Sequence, residues 1–483
     1  MKPLYHSDKT KQLDIMAADA LGLDSFALMQ AAAAAIFKHI NAFNSILVIT
    51  GPGNNGGDGW VVAELARQNH QQVKVWPMQS IESLSGDARR AAELYQGQTI
   101  DAKPDSSASY DCIVDSIFGT GLNQAITGHY AKVIEWINLQ ASTIIAVDIP
   151  SGLNGSTGNI MGVAVEASQT ISILALNTGL FTLDGKDCCG EVLLERLGVD
   201  SSCFAAVVAP DGLLLDQHHL VEISGHRSNN SHKGRFGHVL TAGGQAGMMG
   251  AVLLAGKAVL KSGGGLATIV TDSAHADMVA LYAPELMALA FDGMNEQHLN
   301  QVLIDKQADV ILLGMGMGQS QWSKDLYTCC LMAAKPLVMD ADALGILSRA
   351  ATIPDQLKVI TPHPKEAAVL LSCSVAAVQQ NRWASVLKLA QKYHCVAVLK
   401  GSGTLISDGK TVWCCPYGNA NLATAGSGDV LAGMVAGLLA QGFSPAVASY
   451  LAVIWHALAG ETNVFGLTMT ASDLLNTLHQ TVK

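Results

Sequence analysis

The chain has 483 residues, of which 49% are apolar, 14% are charged and 47 are glycine. At roughly 100–200 residues per domain, this length exceeds one hydrophobic core and predicts two or three domains. No apolar run reaches the ~20 uninterrupted residues of a transmembrane helix. Residues 1–14 lack the apolar region of a secretory signal. We therefore expect a cytoplasmic protein with no membrane partner.

The net charge is −11, from 29 basic and 40 acidic residues, without a long basic block. This balance argues against nucleic acid as a partner. The ten cysteines include three adjacent pairs and no Cys-x-x-Cys spacing. Adjacent cysteines suit neither a disulfide nor a tetrahedral zinc site, so we predict reduced, structural thiols.

Short β-rich apolar runs alternate with helical patterns, which predicts an α/β fold with mainly parallel sheets. In the first half, the predicted strands are 46–50, 73–78, 112–115, 143–149 and 170–176, and helices are predicted at 61–69 and 130–138. The polar stretch 218–233 is the predicted linker. The later strands are 239–242, 267–271, 310–313, 337–340, 359–361 and 396–400, before helices at 427–440 and 445–460. We expect two domains, 1–222 and 223–483.

The first chemical motif follows the strand 46–50 and precedes a helix predicted to begin near Trp60. Its glycines allow backbone N–H groups to approach a phosphate at a helix N-terminus. The next strand ends without the acidic residue that binds a ribose hydroxyl in nicotinamide dehydrogenases, which disfavours that class. The motif reads Gly51-Pro52-Gly53-Asn54-Asn55-Gly56-Gly57-Asp58-Gly59.

Two further strand ends carry polar side chains, in the runs 115–122 and 148–152. In a doubly wound sheet, the ligand crevice lies outside the carboxyl ends of the strands, so we expect these loops to converge. The side-chain oxygens of Asn55, Asp115 and Ser151 are suited to a hard cation. Asp148, at a strand terminus, is a candidate proton-transfer group.

Together, these three runs resemble the N-terminal, Rossmann-like epimerase domain of bifunctional NAD(P)H-hydrate repair enzymes. That family interconverts the two epimers of hydrated NADH or NADPH around a bound potassium ion. The resemblance implies potassium at Asn55, Asp115 and Ser151, and a further hydrate contact at Tyr130. Many relatives have lysine where this chain has Asn177, to which we assign no role. The residues implied to bind hydrate are Asn54, Asn55, Gly56, Gly57, Asp58, Gly119, Thr120, Gly121, Leu122, Asn123, Gln124, Ala125 and Asp148.

The second chemical motif is the glycine-rich segment 418–433. Within it, Gly426, Ser427 and Gly428 offer unhindered N–H groups at the start of a helix whose dipole favours anions. Asp429 follows directly, where a carboxylate can accept the proton of a substrate hydroxyl. Phosphoryl transfer needs both an anion cradle and such a proton acceptor.

Other predicted strand ends of the second half carry companion motifs. Lys400, with Gly401 and Gly403, suits the phosphate or ribose of a nucleotide. His363 lies between two prolines and is predicted to contact the substrate. The runs 314–318 and 340–344 follow two further strands.

With the runs 243–251, 361–364 and 400–404, these motifs resemble the ribokinase-like fold and, within it, the C-terminal dehydratase domain of the same repair enzymes. The resemblance covers essentially the whole chain. It implies that Asp429 is catalytic and that Ala251, Gly316 and His363 contact the hydrate. The implied nucleotide-binding residues are Lys400, Gly401, Ser402, Gly403, Thr404, Asn419, Thr424, Ala425, Gly426, Ser427 and Gly428.

We therefore predict an enzyme that epimerises the R and S hydrates and then dehydrates the S epimer to NAD(P)H, AMP and phosphate. ADP, with Mg²⁺, is the expected phosphoryl donor, and ATP stays open as an alternative. A small-molecule hydroxyl kinase and a nucleotide sensor also stay open, although a kinase leaves the N-terminal motif unexplained. We expect a homo-oligomer, and interpret the apolar helix faces 31–36 and 446–458 as core.

Overall fold

The computed structural model describes residues 1–104, 109–200, 204, 207–223, 228–293 and 308–482. The chain forms two compact units, Lys2–Leu213 and Leu214–Lys483. This division lies before the boundary expected from the sequence, at 222/223. A 3₁₀ helix, Gln217–Glu222, overlaps the start of the predicted linker 218–233, and residues 224–227 of that linker lie outside the described residues.

The N-terminal unit contains short strands and mostly longer helices. Its strands are β1 (Lys2–Tyr5), β2 (Ser45–Thr50), β3 (Gln72–Pro77), β4 (Gln98–Thr99), β5 (Cys112–Ser116), β6 (Thr143–Val147), β7 (Gln169–Ile173), β8 (Leu176–Asn177), β9 (Glu191–Glu195) and β10 (Gly212–Leu214), which contains the division. Its helices are α1 (Ser7–Leu21), α2 (Ser25–Ile40), α3 (Asn54–Gln68), α4 (Gly86–Leu94), α5 (Gly128–Asn138) and α6 (Gly185–Cys188).

Seven of these strands form one parallel sheet in the order β4-β3-β2-β5-β6-β7-β9. In β2, Ile46 and Val48 pack on one face of the sheet, and Leu47 and Ile49 pack on the other. Successive side chains of a strand point to opposite faces, so a sheet covered on both faces requires a continuous apolar run. The predicted doubly wound α/β architecture is confirmed for this unit.

Two boundaries in this unit differ from the sequence predictions. The strand predicted over 143–149 ends at Val147, because Asp148 adopts a φ of +63° and leaves the ladder. The strand predicted over 170–176 is divided into β7 and β8, because Leu174 also has a φ of +63°. Both interruptions occur at the edge where the candidate site lies.

Helix α3 begins at Asn54, not near Trp60 as predicted. The first turns contain glycines because the helix lies against the backbone of the β2 and β5 ends. A Cβ on Gly56 would lie 2.0 Å from the carbonyl oxygen of Gly51. A Cβ on Gly59 would lie 2.0 Å from Ser116 Oγ. Glycine at these positions therefore permits close packing of α3 against the ends of the two strands.

The C-terminal unit repeats the alternation of strands and helices. Its strands are β11 (His238–Ala242), β12 (Leu266–Asp272), β13 (Met287–Phe291), β14 (Val310–Leu313), β15 (Leu337–Met339), β16 (Leu357–Ile360), β17 (Val396–Leu399), β18 (Leu405–Ser407) and β19 (Val412–Cys414). Its helices are α7 (Met249–Lys261), α8 (Ser273–Tyr282), α9 (Gln321–Met332), α10 (Asp342–Leu347), α11 (Pro364–Leu371), α12 (Val375–Gln380), α13 (Arg382–Tyr393), α14 (Ser427–Ala440), α15 (Pro445–Thr462) and α16 (Ala471–Thr481).

These strands are ordered β13-β12-β11-β14-β15-β16-β17-β18-β19. The pairs from β13 to β17 are parallel, and β18 and β19 add antiparallel pairs. Helices α7, α14, α15 and α16 contribute to one buried apolar cluster with residues from these strands. The predicted strands of this half are confirmed within two residues, whereas β13, β18 and β19 were not predicted.

Among the described residues, no single helix is both long and apolar enough to cross a bilayer. Helices α1 and α2 meet the length and composition test only as a pair bent by 95°. The faces 31–36 and 446–458, interpreted as core, consist mostly of buried residues.

Close contact between α7 and α14 generates a stability prediction. A Cβ on Gly433 of α14 would lie 2.3 Å from the carbonyl oxygen of Ala255 in α7. We expect Gly433→Ala to destabilise the C-terminal unit by about 1–3 kcal/mol, because overpacking displaces the helices. Gly250→Ala is the matched control, since a Cβ there meets nothing within 4 Å. It should be neutral or stabilising by up to about 1 kcal/mol. Urea unfolding measures both, and equal stability of the two variants would contradict the contact.

Candidate active sites

A cavity of about 970 Å³ lies at the carboxyl edge of the N-terminal sheet. Its volume is at the upper end of the range for small-molecule sites. One wall is helix α1, which the sequence analysis did not include. Gly56 and Gly57 are buried in α3, and neither they nor Ala125 and Tyr130 line the cavity. The predicted hydrate-binding residues that line it are Asn54, Asn55, Asp58, Gly119, Thr120, Gly121, Leu122, Asn123, Gln124 and Asp148.

Asp148 directly follows β6 and has a left-handed backbone conformation, which is uncommon for a residue with a side chain. Its Oδ1 accepts one long hydrogen bond, from Ile173 N–H at 3.4 Å. Burial raises the pKa of Asp148 to about 7, and the negative charge of Asp14 adds to this increase. The carboxyl group therefore exchanges its proton near neutral pH, as a general acid or base requires.

Asp14 is a cavity residue that the sequence analysis missed. It lies on α1, and its carboxyl group lines the same cavity as those of Asp58 and Asp148. Partial burial raises the pKa of Asp14 to about 6. Burial, together with the charges of Asp148 and Asp14, raises the pKa of Asp58 well above its ordinary value. No glycine-rich or strand-end motif marks Asp14, because α1 precedes the sheet in the chain.

The predicted cation ligands Asp115 and Ser151 lie beside each other and are fully buried. Asp115 accepts hydrogen bonds from Ser151 Oγ at 2.6 Å, Ser151 N–H at 2.7 Å and Ile117 N–H at 3.2 Å. Burial raises the pKa of Asp115 to about 6, although these bonds oppose the increase. No basic side chain among the described residues forms an ion pair with this carboxylate.

Asn55 is the third predicted ligand, and its buried Nδ2 has no hydrogen-bond partner. Its side chain lies against the loop after β5, since a Cβ on Gly119 would be 3.3 Å from Asn55 Cβ. The unused Nδ2 is a hydrogen-bond donor and cannot bind a cation, so Asn55 would have to use its side-chain oxygen. Within the described part of the chain, the carboxylate of Asp115 is buried without a basic partner. The side-chain oxygens of Asp115, Ser151 and Asn55 are the ligand type that hard cations take, so these residues fit a cation such as potassium.

Tyr130 and Asn177 lie outside the cavity wall. The ring of Tyr130 packs on Phe118, with the ring centroids 4.8 Å apart, and Phe118 itself lines the cavity. Tyr130 therefore contacts a residue of the cavity wall without lining the cavity itself. Asn177 is buried, and its Nδ2 donates a hydrogen bond to Tyr5 O at 3.3 Å.

In the C-terminal unit, α14 begins directly after Gly426, whose φ of +87° allows the chain to turn into the helix. Ser427 Oγ donates to Leu422 O at 2.8 Å. His456, buried on α15, has its Nε2 2.9 Å from Ser427 O. Because burial lowers the pKa of His456 to about 4, the ring is neutral and Nε2 donates this bond. The glycine-rich turn is therefore held by hydrogen bonds to its carbonyl groups.

Lys400 has carboxylate partners that the sequence analysis did not predict. Its Nζ lies 2.8 Å from Asp340 Oδ1 and 4.0 Å from Glu366 Oε2. Although burial alone would lower the pKa of Lys400, these carboxylates raise it above its ordinary value. A Cβ on Gly428 would lie 3.3 Å from Lys400 Nζ, so the ammonium group also borders the helix start. The side chain thus extends from the end of β17 to the first turn of α14.

Asp429 lies in the first turn of α14, near this cluster. Burial raises the pKa of Asp429 to about 7, and the charge of Asp340 adds to the increase, while Lys400 opposes it. Burial likewise raises the pKa of Glu366 to about 7. Asp342, at the start of α10, accepts a hydrogen bond from Gly318 N–H at 2.8 Å. The unit therefore brings together three strand-end loops and two carboxyl groups, Asp429 and Glu366, that exchange protons near neutral pH.

His363 caps helix α11 in this structure. Its Nδ1 accepts hydrogen bonds from Lys365 N–H at 3.0 Å and Glu366 N–H at 3.2 Å. Glu366 Oε2 accepts one in return from His363 N–H at 2.8 Å, which completes a capping box. Proline at the first helical position and glutamate two residues later are the sequence signals of such a cap. The predicted substrate contact would have to use the remaining ring nitrogen, Nε2.

The other predicted residues of this unit occupy two neighbouring regions. Ala251 and Gly316 lie together, since a Cβ on Gly316 would be 3.2 Å from Ala251 Cβ. In the second region, Thr404 Oγ1 donates to Gly401 O at 3.0 Å, and Asn419 Oδ1 accepts from Asn421 N–H at 3.1 Å. The remaining predicted nucleotide contacts are in the turns that bear these residues, and they are Lys400, Ser402, Gly403, Thr424, Ala425, Gly426, Ser427 and Gly428.

Known protein families match both units. Residues 239–480 match the family model of NAD(P)H-hydrate dehydratase, and residues 25–179 match that of the YjeF-related protein N-terminus. The C-terminal part is similar to a solved ADP/ATP-dependent NAD(P)H-hydrate dehydratase from Bacillus subtilis, co-crystallised with ATP and Mg²⁺. That likeness has 27% identity and a TM-score of 0.51, over 56% of this chain and 97% of the other. A ribokinase-like superfamily protein from Enterococcus faecalis has 28% identity and the same TM-score of 0.51.

Curated relatives match the chain over nearly its full length. The bifunctional NAD(P)H-hydrate repair enzyme Nnr of Coxiella burnetii is 36% identical, over 95% of each chain. The enzyme of that name from Escherichia coli is also 36% identical, over 99% of this chain and 94% of its own. The predicted resemblance is thereby confirmed for both halves, and this chain belongs to the family of bifunctional NAD(P)H-hydrate repair enzymes.

Proposed function

We propose that the N-terminal unit interconverts the epimers of hydrated NADH and NADPH, and that the C-terminal unit dehydrates one epimer at the expense of a nucleotide. The observation that carries this proposal is that each unit holds a carboxyl group with a pKa near 7 beside its strand-end loops: Asp148 and Asp429. Glu366 also has a pKa near 7, but its carboxylate accepts the His363 N–H in the cap of α11. Family membership over both units supports the pairing of the two activities.

Epimerisation requires a hydroxyl group to leave and return on the same ring carbon, next to the ring nitrogen. Protonated Asp148 donates its proton to the leaving hydroxyl, which departs as water while the nitrogen lone pair stabilises the cation. Asp148, now ionised, accepts a proton from the water that adds to the opposite face. A group with a pKa near the working pH serves both directions. Burial and the neighbouring charge of Asp14 favour the protonated form of Asp148.

Asp115, Ser151 and Asn55 would hold the potassium ion. When bound, the ion would neutralise the buried charge of Asp115 and fix the loop after β5. That loop contributes Gly119 and Thr120 to the cavity wall, so order in the loop favours hydrate binding.

Dehydration is difficult because hydroxide is a poor leaving group, since the pKa of water is about 15.7. Asp429 accepts the proton of the hydrate hydroxyl while the oxygen of that hydroxyl group attacks the terminal phosphorus of the nucleotide. With ADP as donor, the products of this step are the phosphorylated hydrate and AMP. Loss of phosphate, assisted by the lone pair of the ring nitrogen, leaves a ring cation. Loss of a proton from the adjacent ring carbon to water then restores the dihydronicotinamide ring. The N–H groups at the start of α14 stabilise the transferred phosphoryl group.

Mg²⁺ would accompany the nucleotide in this proposal. Among the described residues, no group of three or more His, Cys, Asp or Glu side chains forms a metal site. Mg²⁺ commonly binds through substrate phosphates and one or two carboxylates, and it keeps several water ligands. Asp340 and Asp342 are suitably placed carboxylates for that role. ADP is the donor we propose, and ATP is the alternative that the assay below includes.

Replacement of Asp429 tests the proposed base of the dehydration step. Asp429→Asn should lower nucleotide-dependent dehydration by about 10²–10⁴-fold, because the amide cannot accept the hydroxyl proton. The measurement is the return of reduced-nicotinamide absorbance from hydrated NADH with ADP or ATP. Asp473→Asn, in the capping box of α16, is a matched control that should keep full turnover. Dehydration by Asp429→Asn at the wild-type rate would exclude Asp429 as the base.

The second prediction concerns Asp148 and its neighbour. Asp148→Asn tolerates the left-handed backbone, and it should stop dehydration of an epimeric mixture near half completion, apart from slow spontaneous epimerisation. Because the reaction begins with protonated Asp148, epimerase activity should fall as the pH rises through about 7. Asp14→Asn removes a like charge and lowers the pKa of Asp148, so this loss of activity should begin at lower pH.

Asp19→Asn is the control for the pH shift, because Asp19 also lies on α1 and lines the cavity. The pH profile of epimerisation should be unchanged in this variant. An identical shift in both variants would show a general charge effect and would exclude Asp14 as the specific neighbour.

The third prediction concerns potassium. At 100 times its dissociation constant, a ligand raises the free energy of unfolding by about 2.7 kcal/mol. KCl should therefore stabilise the N-terminal unit more than choline chloride at equal ionic strength, and Asp115→Asn should abolish the difference. Thermal unfolding of the intact chain measures this effect. Equal stabilisation by both salts would exclude a potassium site.

A further inference from the structure

Arg382 is a fully buried, charged residue that has no role in the function proposed above. It begins α13, beneath the loop that follows β17. Its Nη2 donates to Leu399 O at 3.1 Å, Lys400 O at 3.3 Å and Gly403 O at 3.5 Å. Its Nη1 donates to Lys400 O at 3.3 Å and to Gln379 Oε1 at 3.0 Å. The guanidinium group therefore binds the carbonyl groups of Leu399, Lys400 and Gly403, at the end of β17 and in the loop that follows it.

The charge of Arg382 is not neutralised by a carboxylate. No acidic side chain among the described residues forms an ion pair with it. Burial lowers the pKa of Arg382 to about 10, so the group stays protonated at neutral pH. A buried charge held only by neutral dipoles is energetically costly. An anion on the other side of those dipoles would offset this cost.

The carbonyl contacts also determine where the loop directs its N–H groups. In a trans peptide, the C=O and N–H bonds point in opposite directions, and the described chain has no cis peptide bond. Since the carbonyls of Lys400 and Gly403 point towards Arg382, the N–H groups of Gly401 and Thr404 point away from it. Gly401 lies on the exposed side of the loop. The guanidinium group thus orients two peptide dipoles with their positive ends outwards.

Gly401 has a specific steric reason to be glycine. Its φ is +140°, and a Cβ would lie 2.9 Å from Arg382 Nη1. The guanidinium group and the loop backbone are therefore in contact with no space for a side chain. Because the guanidinium group contacts the loop backbone directly, we expect the orientation of the peptide groups in the loop to depend on Arg382.

We propose that Arg382 is a positioning residue for the nucleotide. Arg382 orients the N–H groups of the 401–404 loop, and its positive charge, acting through the peptide dipoles, adds to the attraction for nucleotide phosphates. This inference rests on the proposed binding of a nucleoside diphosphate at 400–404. Arg382 does not touch the nucleotide. Its contribution should depend on the phosphate charge of the ligand, whereas a purely structural role would affect all ligands of the loop equally.

The test compares ADP and adenosine binding to the full chain by calorimetry. In Arg382→Lys, a lysine cannot span the three carbonyls, so ADP should bind at least about tenfold more weakly, a change of about 1.4 kcal/mol. Adenosine binding should change less than about threefold. Tyr393→Phe is the control, because Tyr393 lies at the other end of α13 and donates a buried hydrogen bond to Leu370 O. It should leave both affinities unchanged.

Gln379→Glu tests the charge separately, since it keeps Arg382 and its carbonyl contacts. A carboxylate at position 379 would neutralise the guanidinium, and ADP affinity should fall while adenosine affinity is preserved. Wild-type ADP affinity in both Arg382→Lys and Gln379→Glu would overturn the proposal. Equal losses of ADP and adenosine would also overturn it. The two possible failures are distinguishable. Retained ADP affinity in the variants, with a wild-type chain that binds ADP and dehydrates the hydrate, would overturn this inference alone. A wild-type chain that binds neither ADP nor ATP would overturn the proposed function as well.

Discussion

The sites in both units depend on one constraint, that parallel strands end at the same edge of their sheet. In the N-terminal unit, Asp115 lies near the end of β5, and Asp148 directly follows β6. In the C-terminal unit, Asp340 follows β15 and Lys400 follows β17. Side chains that are distant in the chain therefore meet where the hydrogen-bonded ladder stops. In the N-terminal unit, helix α1 also lies at this edge, because its residues form one wall of the cavity.

Burial of the carboxyl groups accounts for the acid–base properties of both sites. Burial is the largest cause of the raised pKa values of Asp148 and Asp429, and neighbouring carboxylates add to it. Asp14 supplies the neighbouring charge in one unit, and Asp340 supplies it in the other. The second unit also contains Lys400, whose ammonium group opposes the increase for Asp429. Similar pKa values thus arise from two different arrangements of charge.

The sequence predicted Asp115, Asp148 and Asp429 because strand-end loops rich in glycine are local patterns. It also predicted the α/β architecture, since the apolar runs of covered parallel strands are continuous. Asp14 and Arg382 could not be predicted in this way. Each enters its site from a helix without a motif, and only tertiary packing brings it there. The same reason explains the unexpected carboxylate partners of Lys400.

The most direct measurement is the return of reduced-nicotinamide absorbance when an epimeric mixture of hydrated NADH is incubated with the full chain. The account predicts complete recovery in the presence of ADP or ATP, with potassium and Mg²⁺, and no recovery without a nucleotide. Complete recovery requires both units, because dehydration acts on one epimer and the other must be converted first. Recovery at the same rate without any nucleotide, or no recovery with either nucleotide, would contradict the account.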